Sequence, residues 1–164
     1  MKRMAKKGFT LVEILIVVII LGILAAIVIP QFTEASAEAR ISNVMTNLQT
    51  IRSQLLLYKT QHQEVYPGST TDATIFGSQM TTYTNVTGGT SATPTTLFPY
   101  GPYLQTVPAN PVSGIATVTV VSQAAGFAAP AADGGWWFNM MTGEFRADLM
   151  DTHVTTDGTK LNTL

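Results

Sequence analysis

Hydrophobic positions divide this chain into a continuous apolar run, an amphipathic stretch and a series of short mixed segments. The apolar run extends from Phe9 to Ile29 and contains one charged residue, Glu13. About 20 apolar residues in a helix cross the hydrocarbon core of a bilayer. The pattern therefore predicts a membrane-spanning helix over residues 9–29. A carboxylate inside such a segment costs about 2.5–3.5 kcal/mol on insertion scales, so we interpret Glu13 as a functional residue.

The next stretch has the period of an amphipathic helix. Apolar residues recur at alternating spacings of three and four, at Ile41, Val44, Leu48, Ile51, Leu55 and Tyr58. This spacing places them on one helix face. Residues 31–64 contain no glycine or proline, and Pro67-Gly68 ends the pattern. The sequence predicts that the helix continues over residues 30–65, ending near Glu64, with His62 as a packed residue on the same face.

The remaining residues, 66–164, contain the signals of a small sheet. Ile115–Val121 is rich in β-branched residues, and two further strand-like segments, Trp136–Met141 and Glu144–Asp148, flank the turn signal Thr142-Gly143. Side chains alternate along a strand, so Trp136 and its neighbour are expected on opposite faces of the sheet. One would pack on the helix and the other against loop residues or a neighbouring subunit.

The segment between the helix and these strands, residues 67–111, is rich in proline and threonine. Such composition predicts an irregular, exposed loop. Taken together, the elements predict an α+β fold. A long N-terminal helix, half membrane-spanning and half amphipathic, is packed by a small antiparallel β-sheet. The apolar stripe supplies a core that residues 66–164 are too few to build independently.

Charge is distributed unevenly along the chain. Four of the nine basic residues, Lys2, Arg3, Lys6 and Lys7, precede Gly8, and all ten acidic residues follow it. Basic residues before an apolar run keep the amino end in the cytoplasm and send the rest across the membrane. An ordinary secretory signal, cut near Leu24-Ala25-Ala26, is the first alternative. The length of the run and the presence of Glu13 argue against it.

The junction of the basic and apolar parts resembles a known leader. Lys7-Gly8-Phe9-Thr10-Leu11-Val12-Glu13 resembles the class III leader of type IV pilins and of type II secretion pseudopilins. The resemblance implies that residues 1–8 are a leader, that a prepilin peptidase cuts between Gly8 and Phe9, and that the new amino terminus of Phe9 is methylated. It also implies that Glu13 pairs with the terminal amine of a neighbouring subunit. The alternative for Glu13 is a carboxylate that extends to the headgroups.

Two residues interrupt the predicted helix. Pro30 removes the hydrogen bond to the carbonyl of Ala26, and Gly22 weakens the helix before it. The family resemblance implies a bend or partial unwinding here when a subunit enters a filament. Alternatively, Pro30 marks the exit from the membrane with a modest kink.

A second motif indicates which branch of these proteins the chain resembles most. Gly101-Pro102-Tyr103-Leu104, followed by Pro108 and Pro111, resembles the loop that precedes the sheet in G-type major pseudopilins. The same residues also fit an ordinary proline-rich loop whose Tyr and Leu fill the core. The chain has no cysteine, whereas many type IV pilins carry a C-terminal disulfide. This difference favours a pseudopilin over a pilus subunit, because an exported domain without disulfides depends on packing or a metal.

Calcium is the metal that the resemblance suggests. G-type pseudopilins often bind it in the C-terminal loop, where Asp148, Asp151 and Asp157 offer oxygen ligands. Their spacing matches no EF-hand, and a solvated acidic tail is the preferred interpretation. We therefore predict no cofactor, with calcium as the alternative.

Other classes of function find little support in the sequence. There is no cysteine nucleophile, Gly-x-Ser-x-Gly or phosphate loop, and the two histidines are far apart. After Gly8 the basic residues form no stripe, which argues against nucleic-acid binding. The rival class is a signal-anchored periplasmic enzyme or binding domain, which would stay monomeric.

The sequence analysis thus leads to a non-enzymatic, self-assembling subunit of a type II secretion pseudopilus. The alternative within the class is a type IV pilus subunit for adhesion, motility or DNA uptake. The expected partners are copies of the chain, minor pilins or pseudopilins, prepilin peptidase, and an inner-membrane assembly platform with its ATPase. Before assembly the subunit is expected in the inner membrane, and afterwards in a periplasmic or cell-surface filament.

Overall fold

A computed structural model describes residues 8–68 and 71–164, and these separate into two compact units. Helix α1, Leu11–Gln61, continues across the boundary, with the first unit ending at Glu38 and the second covering Ala39–Leu164. The other elements follow in the second unit, in this order: α2 (Ala73–Thr81), β1 (Tyr83–Thr84), β2 (Thr90–Ser91), β3 (Val118–Val121), β4 (Trp136–Asn139), β5 (Glu144–Ala147) and a 3-10 turn (Leu161–Thr163). This arrangement confirms the predicted α+β, pilin-like fold class.

The amphipathic part of α1 forms one wall of the core. Its predicted stripe is confirmed, since Val44, Leu48, Ile51, Leu55 and Tyr58 are buried. Ile41, at the start of the stripe, is partly buried against the same core. The helix ends at Gln61, slightly before the predicted Glu64, because Gln63 and Glu64 adopt left-handed backbone angles (φ 56° and 65°).

The prediction of an irregular loop over residues 67–111 is wrong for the first part of this segment, which contains α2. Asp72 caps this helix by accepting a hydrogen bond from the amide of Thr74 (2.7 Å). Phe76 and Met80, one turn apart, are buried against the core. The Asp cap and the apolar pair were visible in the sequence, but the high threonine content obscured them.

The three-stranded sheet has the order β3-β4-β5 and mixed direction. The predicted hairpin is confirmed, since β4 and β5 pair antiparallel, with Trp136 opposite Ala147. However, β3 runs parallel to β4, with Val118 opposite Trp136, so the sheet is not wholly antiparallel. Parallel strands need a crossover of about a dozen residues or more, and the segment 122–135 provides it.

The two tryptophans of β4 have different surroundings, as the strand period predicts. Trp136 is fully buried in the core cluster that contains the α1 stripe, and its indole nitrogen donates to the carbonyl of Pro108 (2.7 Å). Trp137 lies outside that cluster and packs edge-on against the loop residue Phe127, with ring centroids 5.2 Å apart. The prediction that one of them meets loop residues is confirmed.

Polar contacts connect α1 to the sheet and to the C-terminal segment. The Arg52 guanidinium donates to the carbonyl of Phe145 from two nitrogens (3.0 and 2.7 Å) and to the carbonyl of Leu164. Asn162, which is buried, donates to the carbonyl of Leu149 (2.8 Å) and to the Asp151 carboxylate (2.9 Å). These contacts hold the C-terminal segment against α1 and the sheet without any disulfide, since the chain has no cysteine.

We predict that Arg52→Met lowers the free energy of unfolding by about 2–3 kcal/mol. The substitution leaves buried carbonyls without their charged donor while keeping most of the side-chain volume. Arg40→Met is the matched control, because Arg40 is an exposed residue of the same helix. Thermal and denaturant unfolding of the two full-length variants in detergent, followed by near-ultraviolet circular dichroism, measures the difference. Equal losses in both variants would contradict the role of Arg52.

His62 is a packed residue, as predicted from its position on the stripe. Its ring stacks on Tyr58 with centroids 3.7 Å apart. Nδ1 lies 2.8 Å from the carbonyl of Tyr58, and Nε2 lies 3.0 Å from the hydroxyl of Thr84. A carbonyl only accepts, so Nδ1 carries the proton and Nε2 accepts from Thr84. Burial lowers the pKa of His62, although the hydrogen bond to Tyr58 favours the charged form.

This shift predicts a loss of stability in mild acid. The unfolded chain binds a proton near pH 6.5, whereas folded His62 stays neutral to lower pH. The stability is therefore complete above pH 6.5 and falls as the pH is lowered towards the folded pKa, by at most about 1.4 kcal/mol per pH unit. His62→Phe should flatten this slope between pH 6.5 and 5.5 relative to the parent chain. Denaturant titrations at several pH values test the difference, and an unchanged slope in His62→Phe would refute the assignment.

Candidate functional site

The first described residues place the predicted cleavage bond in exposed, non-helical backbone. Gly8, Phe9 and Thr10 precede α1, and the Phe9 side chain is 83% exposed. Among the described residues, apart from the chain neighbour of Gly8, no heavy atom lies within 4 Å of the position that a Cβ on Gly8 would occupy. The bond between Gly8 and Phe9 is thus sterically accessible. The remaining leader residues, including Lys2, Arg3, Lys6 and Lys7, lie outside the described residues.

Glu13 and Thr10 form a reciprocal cap at the start of α1. The Thr10 amide and hydroxyl both donate to Oε2 of Glu13, at 2.8 and 2.9 Å. In return, the Glu13 amide donates to the Thr10 hydroxyl (3.2 Å). This is a capping box, in which the first residue and the residue three positions later satisfy each other's free amides. Sequence analysis missed it, although the Thr-x-x-Glu spacing is its signature.

The cap holds the Glu13 carboxylate at the N-terminus of α1, where the helix stabilises a negative charge. The free amides at a helix N-terminus carry a partial positive charge that stabilises an acid in the first turn. Within the described residues, Glu13 forms no ion pair with a basic side chain. Its charge is therefore available to a cation outside that range. The predicted role of Glu13 in assembly remains a prediction.

Helix α1 continues through both residues predicted to interrupt it, Gly22 and Pro30. The Thr33 hydroxyl donates to the carbonyl of Pro30 (2.7 Å), and back-bonding of this kind slightly destabilises a helix and favours a bend. A Cβ on Gly22 would meet nothing within 4 Å. The predicted bend at these positions is a property of assembly and stays a prediction.

The first unit leaves its apolar side chains uncovered. All residues from Leu11 to Ile29 are exposed in the isolated chain. By length and composition, α1 qualifies as a membrane-spanning helix, and none of its most apolar window is buried. An uncovered apolar surface of this size needs lipid or other helices around it.

The Gly101–Leu104 segment contributes Tyr103 and Leu104 to the core. This agrees with one of the two interpretations that the sequence analysis gave for these residues. The amides of Tyr103 and Leu104 donate to the carbonyl of Met80 (3.0 and 2.8 Å), and the Tyr103 hydroxyl donates to Oε1 of Gln61 (2.6 Å). Gly101 has φ 79°, and a Cβ there would lie 2.6 Å from the carbonyl of Thr82. Glycine is therefore required at this turn.

The three aspartates suggested as calcium ligands do not form a common site. Within the described residues, no group of three or more His, Cys, Asp or Glu side chains is arranged to hold a metal. Asp148 accepts from the Thr119 hydroxyl (3.2 Å), Asp151 pairs with Lys160 (2.6 Å), and Asp157 accepts from Thr155. Each carboxylate thus has its own partner. This arrangement does not fit the predicted ligand set, and calcium binding itself stays untested.

A family profile described as "Prokaryotic N-terminal methylation motif" matches residues 3–29. This range contains the basic flank, the accessible bond and the capped Glu13. Over these residues the chain is therefore similar to proteins that carry this N-terminal methylation motif.

The relatives of the chain include type II secretion proteins and fimbrial proteins. The chain is 42% identical over 59 residues to a type II secretion system core protein G from Pseudomonas aeruginosa, covering 36% of this chain and 42% of the relative. A protein of the same name from Klebsiella michiganensis is 36% identical over 67 residues, 41% of this chain and 46% of the relative. A fimbrial protein from Neisseria meningitidis is 38% identical over 68 residues, 42% of this chain and 39% of the relative.

The similarity spans less than half the length of each of these three relatives. No solved structure matches this chain. The comparisons therefore bear on only part of the chain.

We predict that Thr10→Val frays the first turn of α1, since valine lacks the hydroxyl and its amide contacts. Loss of an N-cap costs about 1 kcal/mol, or roughly fivefold faster hydrogen exchange in that turn. Thr10→Ser keeps the hydroxyl and is the matched control. Amide exchange of the first helical turn, measured by nuclear magnetic resonance in micelles, distinguishes the variants. Identical exchange in Thr10→Val and the parent chain would exclude the capping box.

Proposed function

We propose that this chain is a pilin-like structural subunit of a type II secretion pseudopilus, a filament that acts in protein export across the outer membrane. The observation that carries this proposal is the capped Glu13 at the start of a fully uncovered apolar helix. A helix with that surface is compatible with lipid before assembly and with other helices afterwards. The relatives named core protein G support the secretion branch.

In the proposed cycle, the precursor sits in the inner membrane with its amino end in the cytoplasm. Prepilin peptidase cuts between Gly8 and Phe9 and methylates the new amine of Phe9. An assembly platform with its ATPase then lifts the subunit from the bilayer, joined by minor pseudopilins. The subunit itself catalyses no reaction, because its role in the filament is mechanical.

Glu13 sets the position of each subunit in this proposal. The cap uses Oε2, so the carboxylate keeps Oε1 for the methylated amine of a neighbouring copy. Two opposite charges about 4 Å apart gain about 4 kcal/mol at an effective dielectric of 20, which offsets the cost of a buried acid. The bend at Gly22 and Pro30 would adapt the helix to its new neighbours.

We predict that Glu13→Gln leaves cleavage intact and reduces filament yield at least tenfold. Glutamine keeps the acceptor that the capping box needs but carries no charge. Thr10→Val is the matched control, since it breaks the cap while the charge remains. Intact mass of the membrane-extracted protein reports processing, and electron microscopy of sheared material reports filaments. Normal filaments from Glu13→Gln would exclude the charge as the determinant of assembly.

A type IV pilus subunit is the second candidate, because fimbrial relatives match the chain at comparable identity. Deleting the gene in its host separates the two. Loss of enzyme secretion indicates a pseudopilus, whereas loss of long surface fibres indicates a pilus. A mature chain that does not begin at methylated Phe9 would contradict both.

A further inference from the structure

The turn between β1 and β2 carries a three-residue motif that the proposed function does not use. Asn85-Val86-Thr87 has the form Asn-x-Ser/Thr, with a residue other than proline in the middle. This is the acceptor pattern for N-linked glycosylation of an exported domain. Of the asparagines in the sequence, Asn85 alone is followed two positions later by serine or threonine. Because so short a motif also arises by chance, its structural setting matters more than the pattern.

The motif lies in a tight surface turn between two paired strands. β1 and β2 pair antiparallel. The Gly88 amide closes the turn between them by donating to the carbonyl of Asn85 (2.9 Å). Val86 and Thr87 are exposed, and Asn85 itself is half-buried. The motif is therefore within reach of an enzyme that approaches the folded second unit from solvent.

The carboxamide oxygen of Asn85 is held by three donors. The amides of Thr87 and Gly89 donate to Oδ1 (3.1 and 2.8 Å), and the Thr87 hydroxyl donates to the same oxygen (2.9 Å). A backbone amide only donates, so this end of the carboxamide is its oxygen and the other end is its nitrogen. The hydroxyl that the acceptor pattern requires is thus in direct contact with the asparagine.

The carboxamide nitrogen, in contrast, is left open. Nδ2 of Asn85 forms no hydrogen bond within the described part of the chain. Every fully enclosed side-chain polar atom among the described residues has a partner, so Nδ2 reaches solvent. A Cβ added at Gly89 would lie 2.9 Å from this nitrogen, and glycine therefore keeps the space beside it free. The turn holds the oxygen in place and presents the nitrogen.

We propose that Asn85 is a site of N-linked glycosylation. Nδ2 of Asn85 attacks the anomeric carbon of a sugar that is linked to a lipid through a diphosphate. The bond between the anomeric carbon and the phosphate oxygen breaks, and the lipid diphosphate leaves with the electron pair. Nδ2 gives up one of its two protons to a base of the transferase, and nothing is oxidised or reduced. A lipid carrier is expected because α1 is long and apolar enough to hold the chain at a membrane.

Mass spectrometry of the membrane-extracted chain from its host tests this modification. We expect the parent chain to exceed the mass of its processed sequence by a whole number of sugar residues. The chymotryptic peptide that contains Asn85 should carry the addition. Asn85→Gln and Thr87→Val should each lose it completely. Thr87→Ser keeps the hydroxyl and should retain the sugar, as should Asn43→Gln, which changes an exposed asparagine outside the motif.

Two results would overturn the proposal. One is a parent chain without added sugar, and the other is an addition that persists in Asn85→Gln. The comparison of Thr87→Val with Thr87→Ser leaves the asparagine in place, so it separates loss of the acceptor pattern from a general effect of changing Asn85. The modification goes beyond the proposed function and does not depend on it. Because the readout is mass rather than filament yield, a negative result leaves the pseudopilus proposal to its own test.

Discussion

The structure depends on one long helix, α1. Its apolar stripe is buried in the later part of the helix, and its apolar side chains are exposed in the first part. Beyond Ala39 the stripe from Val44 to Tyr58 is buried by α2, the sheet and the C-terminal segment of the same chain. The described side chains before Glu38 are exposed. At about 25 cal/mol per Å² of buried apolar surface, the buried stripe contributes to the stability of the second unit together with the other core residues. The first unit depends on its surroundings.

This division explains why the chemistry of the chain is concentrated at its beginning. A helix surrounded by lipid must satisfy its own backbone groups, and the free amides of its first turn are the exception. The Thr10–Glu13 cap supplies acceptors for them and at the same time holds a carboxylate at the start of the apolar surface. One pair of side chains thereby connects the folding of the helix to the charge that the proposed assembly uses.

The second unit compensates for the absence of disulfides with polar contacts between distant parts of the chain. Arg52 reaches the carbonyls of Phe145 and Leu164 from the middle of α1, and buried Asn162 fastens the segment after β5. Charge-assisted hydrogen bonds of this kind are directional, so they fix position as well as adding stability.

The sequence by itself determined the elements whose signals are local. The 3.6-residue period identified the stripe from Ile41 to Tyr58, the apolar run identified the uncovered helix, and Thr142-Gly143 identified the β4–β5 turn. Local sequence signals for α2 and for the Thr10–Glu13 cap are also present. The high threonine content around α2 and the charge of Glu13 favoured other interpretations of these residues. Only the tertiary structure decided the parallel direction of β3, the partners of Arg52 and the separation of Asp148, Asp151 and Asp157. These depend on which distant segments meet, and that is set by packing around the core, which sequence spacing does not encode.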